Sequence, residues 1–285
     1  MTRLEEKAVV LVAGQPKAGT TSLYNWLVQH PEVGAGKLKE LRFFLDPEYP
    51  LPSPSRFDGR NLAAYPALFN NPERAFLLDA SPDYIGCEAP LALPHLQPNS
   101  SAILIFREPV ERLVSAYRYY RSNGFVPHDM TFDEYIARQD RDGVTATTQS
   151  PFRALDHCRR GYYIARWRAA YKDRLLVLEF EDIRRDPARV LHQVCVFLGL
   201  NAQAPIDLVH SNKTVQYRSA NAQHLYARAR RAFAQLTLGF PAVYRLVQPL
   251  GRWVNARLET EAAPPGDVPI SAQSRATIQR YADAR

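Results

Sequence analysis

The stretch Val9–Leu27, V-V-L-V-A-G-Q-P-K-A-G-T-T-S-L-Y-N-W-L, constrains this chain more than any other. An apolar, β-branched run enters a loop bounded by Gly14 and Gly19, and Thr20, Thr21 and Ser22 then open an amphipathic helix. A strand, a short glycine-bounded loop and a helix start, in that order, gather unpaired amide N–H groups and the positive end of a helix dipole at one point. Such a point takes an anion, and a loop of this size suits a phosphate ester. A nucleotide triphosphatase loop carries its lysine directly after the second glycine. Here the glycine spacing is kept, but the lysine is Lys17, inside the loop, and Thr20 follows Gly19. No clear acidic strand for a metal follows, and nothing in the sequence requires a metal. A tight turn without a ligand would explain the glycines, but not Lys17 together with Thr20, Thr21 and Ser22.

The 285 residues carry a formal net charge of +7, spread along the chain rather than collected in runs. That balance suits a small anionic ligand and gives no stripe for nucleic acid. A hydrophobic content of 46% is enough for a substantial core, so global disorder is excluded. Cys87, Cys158 and Cys195 have no metal-ligand spacing and cannot all pair, so they read as buried or free thiols of a reducing compartment. No run approaches the ~20 apolar residues of a membrane span. The N-terminus lacks the pattern of a signal peptide, and a soluble, cytoplasmic protein is expected. The sequence is silent on oligomeric state.

Periodicity predicts strands at Ala75–Leu78, Ser101–Phe106 and Leu175–Phe180 in addition to the first. Helices are expected near Leu62–Phe69, over residues 88–96, from Pro109 through Tyr120, and at Phe132–Gln139. Three more are expected at Gly161–Lys172, from Asp186-Pro187 to Leu198, and over Ser271–Arg285. Alternating strands and helices give an α/β fold: a P-loop-type central parallel sheet flanked by helices. The chain reads as a single domain over 1–285, with a core at 8–215 and a basic, helical C-terminal region at 216–285.

Three segments taken together carry a resemblance: P-K-A-G-T-T-S-L; I-L-I-F-R-E-P-V-E-R-L-V-S-A-Y; and R-G-Y-Y-I-A-R-W followed by L-L-V-L-E-F-E-D-I-R-R-D-P and F-L-G-L. In this order they resemble the sulfotransferase family that uses 3′-phosphoadenosine 5′-phosphosulfate (PAPS). Within it the chain is most similar to the heparan sulfate sulfotransferases and their bacterial relatives, over roughly residues 8–215. The segment K-E-L-R-F-F resembles the K-E-x-x-F-F segment of that branch.

The resemblance implies the following roles. Lys17, Ala18, Gly19, Thr20, Thr21 and Ser22 would cradle the 5′-phosphate. Arg107 and Ser115 would hold the 3′-phosphate, as would Arg218, with Lys213 a weaker candidate. Lys17 would stabilise the leaving phosphate and Glu40 would be the general base. Lys39, Asp79, Ser81 and Tyr163 would lie on the acceptor side. PAPS would be the donor and 3′-phosphoadenosine 5′-phosphate (PAP) the product. The acceptor would be a hydroxyl of a carbohydrate or a small natural product.

Three further readings accompany these roles. Ala80 stands where some members carry a lysine, which removes a cation from the acceptor side. Family members tend to run on past the last helix. The arginine- and alanine-rich composition suggests a bacterial source. A small-molecule kinase with a P-loop and a non-catalytic nucleotide-binding protein are the alternative readings. For Arg107 a plain ion pair with Glu108 or Glu111 is another, and Phe43 and Phe44 read as packing.

Overall fold

The computed structural model describes residues 4–53, 55–208, 216–217, 259–260 and 268–284. The strands of its main sheet are β1 (Ala8–Gly14), β2 (Val33–Ala35), β3 (Phe76–Asp79), β4 (Ser100–Phe106) and β5 (Leu175–Glu179), in the spatial order β2-β3-β1-β4-β5. Every pairing is parallel. The helices are α1 (Thr20–Leu27), α2 (Leu93–Leu96), α3 (Pro109–Ser122), α4 (Phe132–Asp142), α5 (Arg160–Tyr171), α6 (Phe180–Arg185), α7 (Pro187–Leu198) and α8 (Ala272–Asp283).

The central strand shows why the apolar run folds as it does. Successive side chains of a strand point to opposite faces. Val9, Leu11 and Ala13 enter one core with Leu77, Leu104, Phe106 and Trp167. Val10 and Val12 enter the other with Trp26, Leu78, Ile103 and Ile105. A strand apolar on both faces is stable only when both are covered, and each fully buried Val or Leu contributes about 1.5–3 kcal/mol. Here α1 and α7 cover one face, while α5 and the aromatic segment around Phe43, Phe44 and Tyr65 cover the other. A third cluster joins α3, α4 and α8 through Leu113, Tyr117, Phe132, Tyr135 and Ile278.

Helix starts follow their capping chemistry. The Glu108 carboxylate accepts from the amides of Val110 (3.0 Å) and Glu111 (2.6 Å) ahead of α3, with Pro109 at its first position. Thr131 and Glu134 form a reciprocal capping box on α4. Asp186 caps α7, which ends at Gly199 in the left-handed conformation (φ 75°).

The expected helix near Leu62–Phe69 is reduced to a 3-10 turn at Pro66–Leu68, because proline lacks an amide proton and restrains the residue before it. Residues 88–96 form a 3-10 turn at Ala89–Ala92 that runs into the single turn of α2, with Pro90 and Pro94 limiting both. Strand β2 and helix α6 were not anticipated. Most of the expected C-terminal helical region lies outside the described residues, as do Lys213 and Arg218. Within it, Gln216–Tyr217 pairs antiparallel with Glu259–Thr260, a departure from the helix expected there, and α8 is the final helix. The three cysteines are buried and free. Among the described residues no helix is long and apolar enough to cross a membrane.

Candidate active site

The strand order reverses around β1. The chain moves outward from β1 to β2, returns to β3, and then continues on the other side through β4 to β5. Open α/β sheets bind ligands outside the carboxyl ends of their strands at such a point. Three adjacent strands end there with the residues singled out in the sequence: β3 at Asp79, β1 at Gly14 and β4 at Phe106, followed by Arg107. Gln15 donates its amide to the Ile105 carbonyl at 2.8 Å, which fixes the loop after β1 beside the end of β4.

Gly19 is the N-cap of α1, with φ 87°, and supplies no side chain to cap it. The Ser22 amide donates to the Gly19 carbonyl at 3.0 Å, and no side chain of Gly19 reaches the amides of Thr20 and Thr21 ahead of it. A Cβ at Gly19 would stand 2.9 Å from the Phe180 ring, so the position takes glycine for space as well as for φ. The same ring receives a cation: the Arg107 guanidinium lies 4.5 Å from the Phe180 centroid. Phe180 thus ties the loop to Arg107. Ala18, Thr20 and Ser22 are buried, and Lys17, Gly19 and Thr21 are half-buried.

Lys17 has left-handed backbone (φ 68°), and its Nζ lies 4.2 Å from the centroid of the Tyr119 ring. Burial first, and then the charges of Arg107 and Lys39, lower its pKa to about 8, while Glu40 opposes them. Four charged groups from three separate parts of the chain therefore share one field. The Glu40 carboxylate accepts from Lys39 Nζ at 3.4 Å and from an Arg42 Nη2 at 2.9 Å. Burial alone would raise the Glu40 pKa, but the two cations and their hydrogen bonds outweigh it and hold it below the usual carboxylate value. Glu40 is thus ionised at neutral pH.

Helix α3 supplies one wall. Positions four apart lie on one helix face, and Glu111, Ser115 and Tyr119 form such a row. Glu111 Oε2 accepts from Arg107 at 3.3 Å (Nε) and 2.9 Å (Nη2), and Tyr119 covers Lys17. The half-buried Ser115 lies between them in the row. The Arg107–Glu111 ion pair anticipated as an alternative is present.

The remaining candidates take up structural positions. Asp79 and Ser81 are 0% and 1% exposed, and their polar atoms bond the segment after Glu40 instead of facing the cleft. Ala80 is buried in the core on the side of α1. The Tyr163 hydroxyl donates to Asp156, and its ring meets His157 edge-on at 5.9 Å, within the core. Burial and the Asp156 charge push its phenol pKa up. His157 is buried and held neutral by burial and by Arg112 and Arg153. Phe43 and Phe44 are buried in a T-shaped pair at 5.0 Å, as packing requires. Arg160 pairs with Glu179.

Sequence reasoning missed Arg42, Tyr119 and Phe180. Arg42 is two residues from Glu40 in irregular backbone, and Tyr119 is four from Ser115 on a helix, so both spacings were signals. Phe180 had none, because only the fold brings it to Gly19.

A parallel α/β sheet whose central strand runs into a lysine-bearing loop, beside a strand followed by Arg107, has the form that suits a phosphate ester. Residues 7–232 match the family model described as the sulfotransferase domain, and the chain belongs to that family. It is 30% identical over 207 residues to human bifunctional heparan sulfate N-deacetylase/N-sulfotransferase 3, covering 67% of this chain and 22% of that protein. Human bifunctional heparan sulfate N-deacetylase/N-sulfotransferase 1 is 29% identical over the same length and coverage. The chain thus spans about a fifth of the length of these relatives. The crystal structure of a sulfotransferase from Alicyclobacillus acidocaldarius shares the fold, with a TM-score of 0.58, 24% identity, and coverage of 81% of this chain and 94% of that one.

Proposed function

We propose that this protein transfers a sulfuryl group from PAPS to a hydroxyl of a carbohydrate or small natural-product acceptor, with PAP as the second product and no metal in the step. The observation that carries this reading is the meeting of Lys17, Arg107 and Glu40 at the carboxyl ends of β1 and β4. The donor has two anionic ends. The amides and hydroxyls of residues 17–22 suit the 5′-phosphosulfate, and Arg107 with Ser115 suits the 3′-phosphate, once Arg107 exchanges Glu111 for it. In the transfer the bond from sulfur to the bridging phosphate oxygen breaks as the bond from sulfur to the acceptor oxygen forms. Glu40 takes the hydroxyl proton and Lys17 neutralises the charge developing on the phosphate oxygen. The kinase alternative places a lysine after Gly19, where this chain has Thr20.

Calorimetric titration with PAP and ATP tests the donor assignment. PAP is expected to bind at least tenfold more tightly than ATP, because only PAP carries the 3′-phosphate. Arg107→Ala is expected to weaken PAP by about 10–100-fold, the effect of losing one hydrogen-bonded charge. ATP should then change by less than about threefold. Equal PAP affinity in the variant contradicts the 3′-phosphate assignment. ATP binding more tightly than PAP supports the kinase.

A further inference from the structure

Glu40 is followed by residues that belong to no helix or strand, so its position must be fixed by other means. The amides after it end on one buried carboxylate. Asp79, the last residue of β3, accepts the Ser81 hydroxyl on Oδ1 at 2.7 Å and the hydroxyls of Tyr84 (2.7 Å) and Tyr65 (3.3 Å) on Oδ2. The Leu41 amide donates to the same carboxylate. Ser81 Oγ accepts the Arg42 amide at 3.0 Å, and the Tyr84 hydroxyl oxygen accepts the Phe44 amide at 3.1 Å. Three of the four amides following Glu40 thus reach Asp79 directly or through one hydroxyl.

The direction of these bonds is determined by charge. A hydroxyl has one proton. Because Ser81 and Tyr84 give theirs to Asp79, their lone pairs face the amides of Arg42 and Phe44. Arg42 sits at φ 57°, a left-handed conformation that a non-glycine side chain keeps only when its surroundings impose it. The bond from its amide to Ser81 is such a restraint.

We propose that Asp79 is the positioning residue for Glu40: its carboxylate orients Ser81 and Tyr84, and through them fixes Leu41, Arg42 and Phe44, so that Glu40 stands beside Lys17. The proposal deepens the reading of Glu40 as the base and rests on it for its catalytic meaning.

The test uses the free protein with 13Cε-labelled lysine. The Lys17 signal is followed by NMR against pH and assigned by its loss in Lys17→Gln. Glu40 raises the Lys17 pKa, so displacing Glu40 lowers it. Ser81→Ala, a small deletion that keeps the carboxylate, and Asp79→Asn are each expected to lower it by about half a unit, the effect of moving one charge a few ångströms away in a partly solvated site. In a Glu40→Gln background the same substitutions should shift it by less than about a tenth of a unit, and turnover should fall only while Glu40 is present. An unshifted Lys17 titration in folded Ser81→Ala, or an equal shift with and without Glu40, overturns the proposal. Wild-type turnover in Glu40→Gln, with the Lys17 shifts still dependent on Glu40, removes the base and leaves the positioning intact.

Discussion

Glu40→Gln is expected to reduce turnover at least ~100-fold, the usual loss when a positioned general base is removed, while PAP binds within about threefold of the original affinity. The substitution keeps the shape of the side chain, and of the two bonds from Lys39 (3.4 Å) and Arg42 (2.9 Å) its single amide oxygen can accept one. What it removes, in the proposed mechanism, is the site that takes the acceptor proton. The same two cations that depress the Glu40 pKa keep it ionised well below neutrality, so the base is available across the physiological range. The split between turnover and binding is the informative quantity. A parallel loss of both would indicate that Glu40 only holds Lys39 and Arg42 in place, and unchanged turnover would remove it from the mechanism. Steady-state kinetics with labelled donor, together with PAP titration, measure both.

Lys17→Gln is expected to have an effect of similar size for a different reason. Loss of one donor aimed at transition-state charge costs about 10²–10³ in rate, and Lys17 also contributes to binding the ground-state anion, so PAP affinity falls as well. Its pH dependence gives a second signature. With a pKa lowered to about 8 in the free protein, Lys17 loses its proton as pH rises through 8, and PAP affinity should decline from there. In Lys17→Gln this decline should vanish. Stability runs the other way. The unfolded lysine holds its proton to about 10.5, so between pH 8 and 10.5 the unfolded chain binds more protons at this residue, and Lys17 contributes a gain in stability as pH rises, opposed by the buried thiols Cys87, Cys158 and Cys195, whose pKa values burial raises. The gap corresponds to about 3 kcal/mol. Calorimetric titrations of the wild type, and the difference in thermal melts between wild type and Lys17→Gln, at pH 7, 8, 9 and 10 check the two opposite trends. PAP affinity independent of pH over this range would place the lysine away from the phosphate.

Much of this arrangement was legible in the residues. The β1 run is apolar on both faces because both faces are covered, and the loop and α1 follow from Gly14, Gly19 and the hydroxyl cluster. Arg107 could be placed at the end of β4 because Ser101–Phe106 reads as a continuous apolar run and Pro109 marks a helix start. Strand β2 escaped because Val33–Ala35 is three residues long and, among the described residues, pairs only with β3, so it has no run to read. Pro66 defeated the helix expected near it. The residue types at Asp79 and Ser81 were visible, but not their direction. Each could face a cleft or the chain's own amides, and only the return of residues 41–44 over the end of β3 decides between them. Tyr119 and Phe180 act through contacts with residues far away in sequence, Lys17 in one case and Gly19 with Arg107 in the other, which no local pattern records.

The central claim is tested most directly by incubating the protein with PAPS labelled with sulfur-35 and a panel of sugars, phenols, alcohols and amines. The account predicts labelled product on a hydroxyl acceptor, one PAP released for each group transferred, no requirement for added metal, and loss of the product in Glu40→Gln. Label delivered only to amines would contradict the hydroxyl assignment. Phosphate transferred from ATP to the same acceptors, with no label moving from PAPS, would contradict the account as a whole.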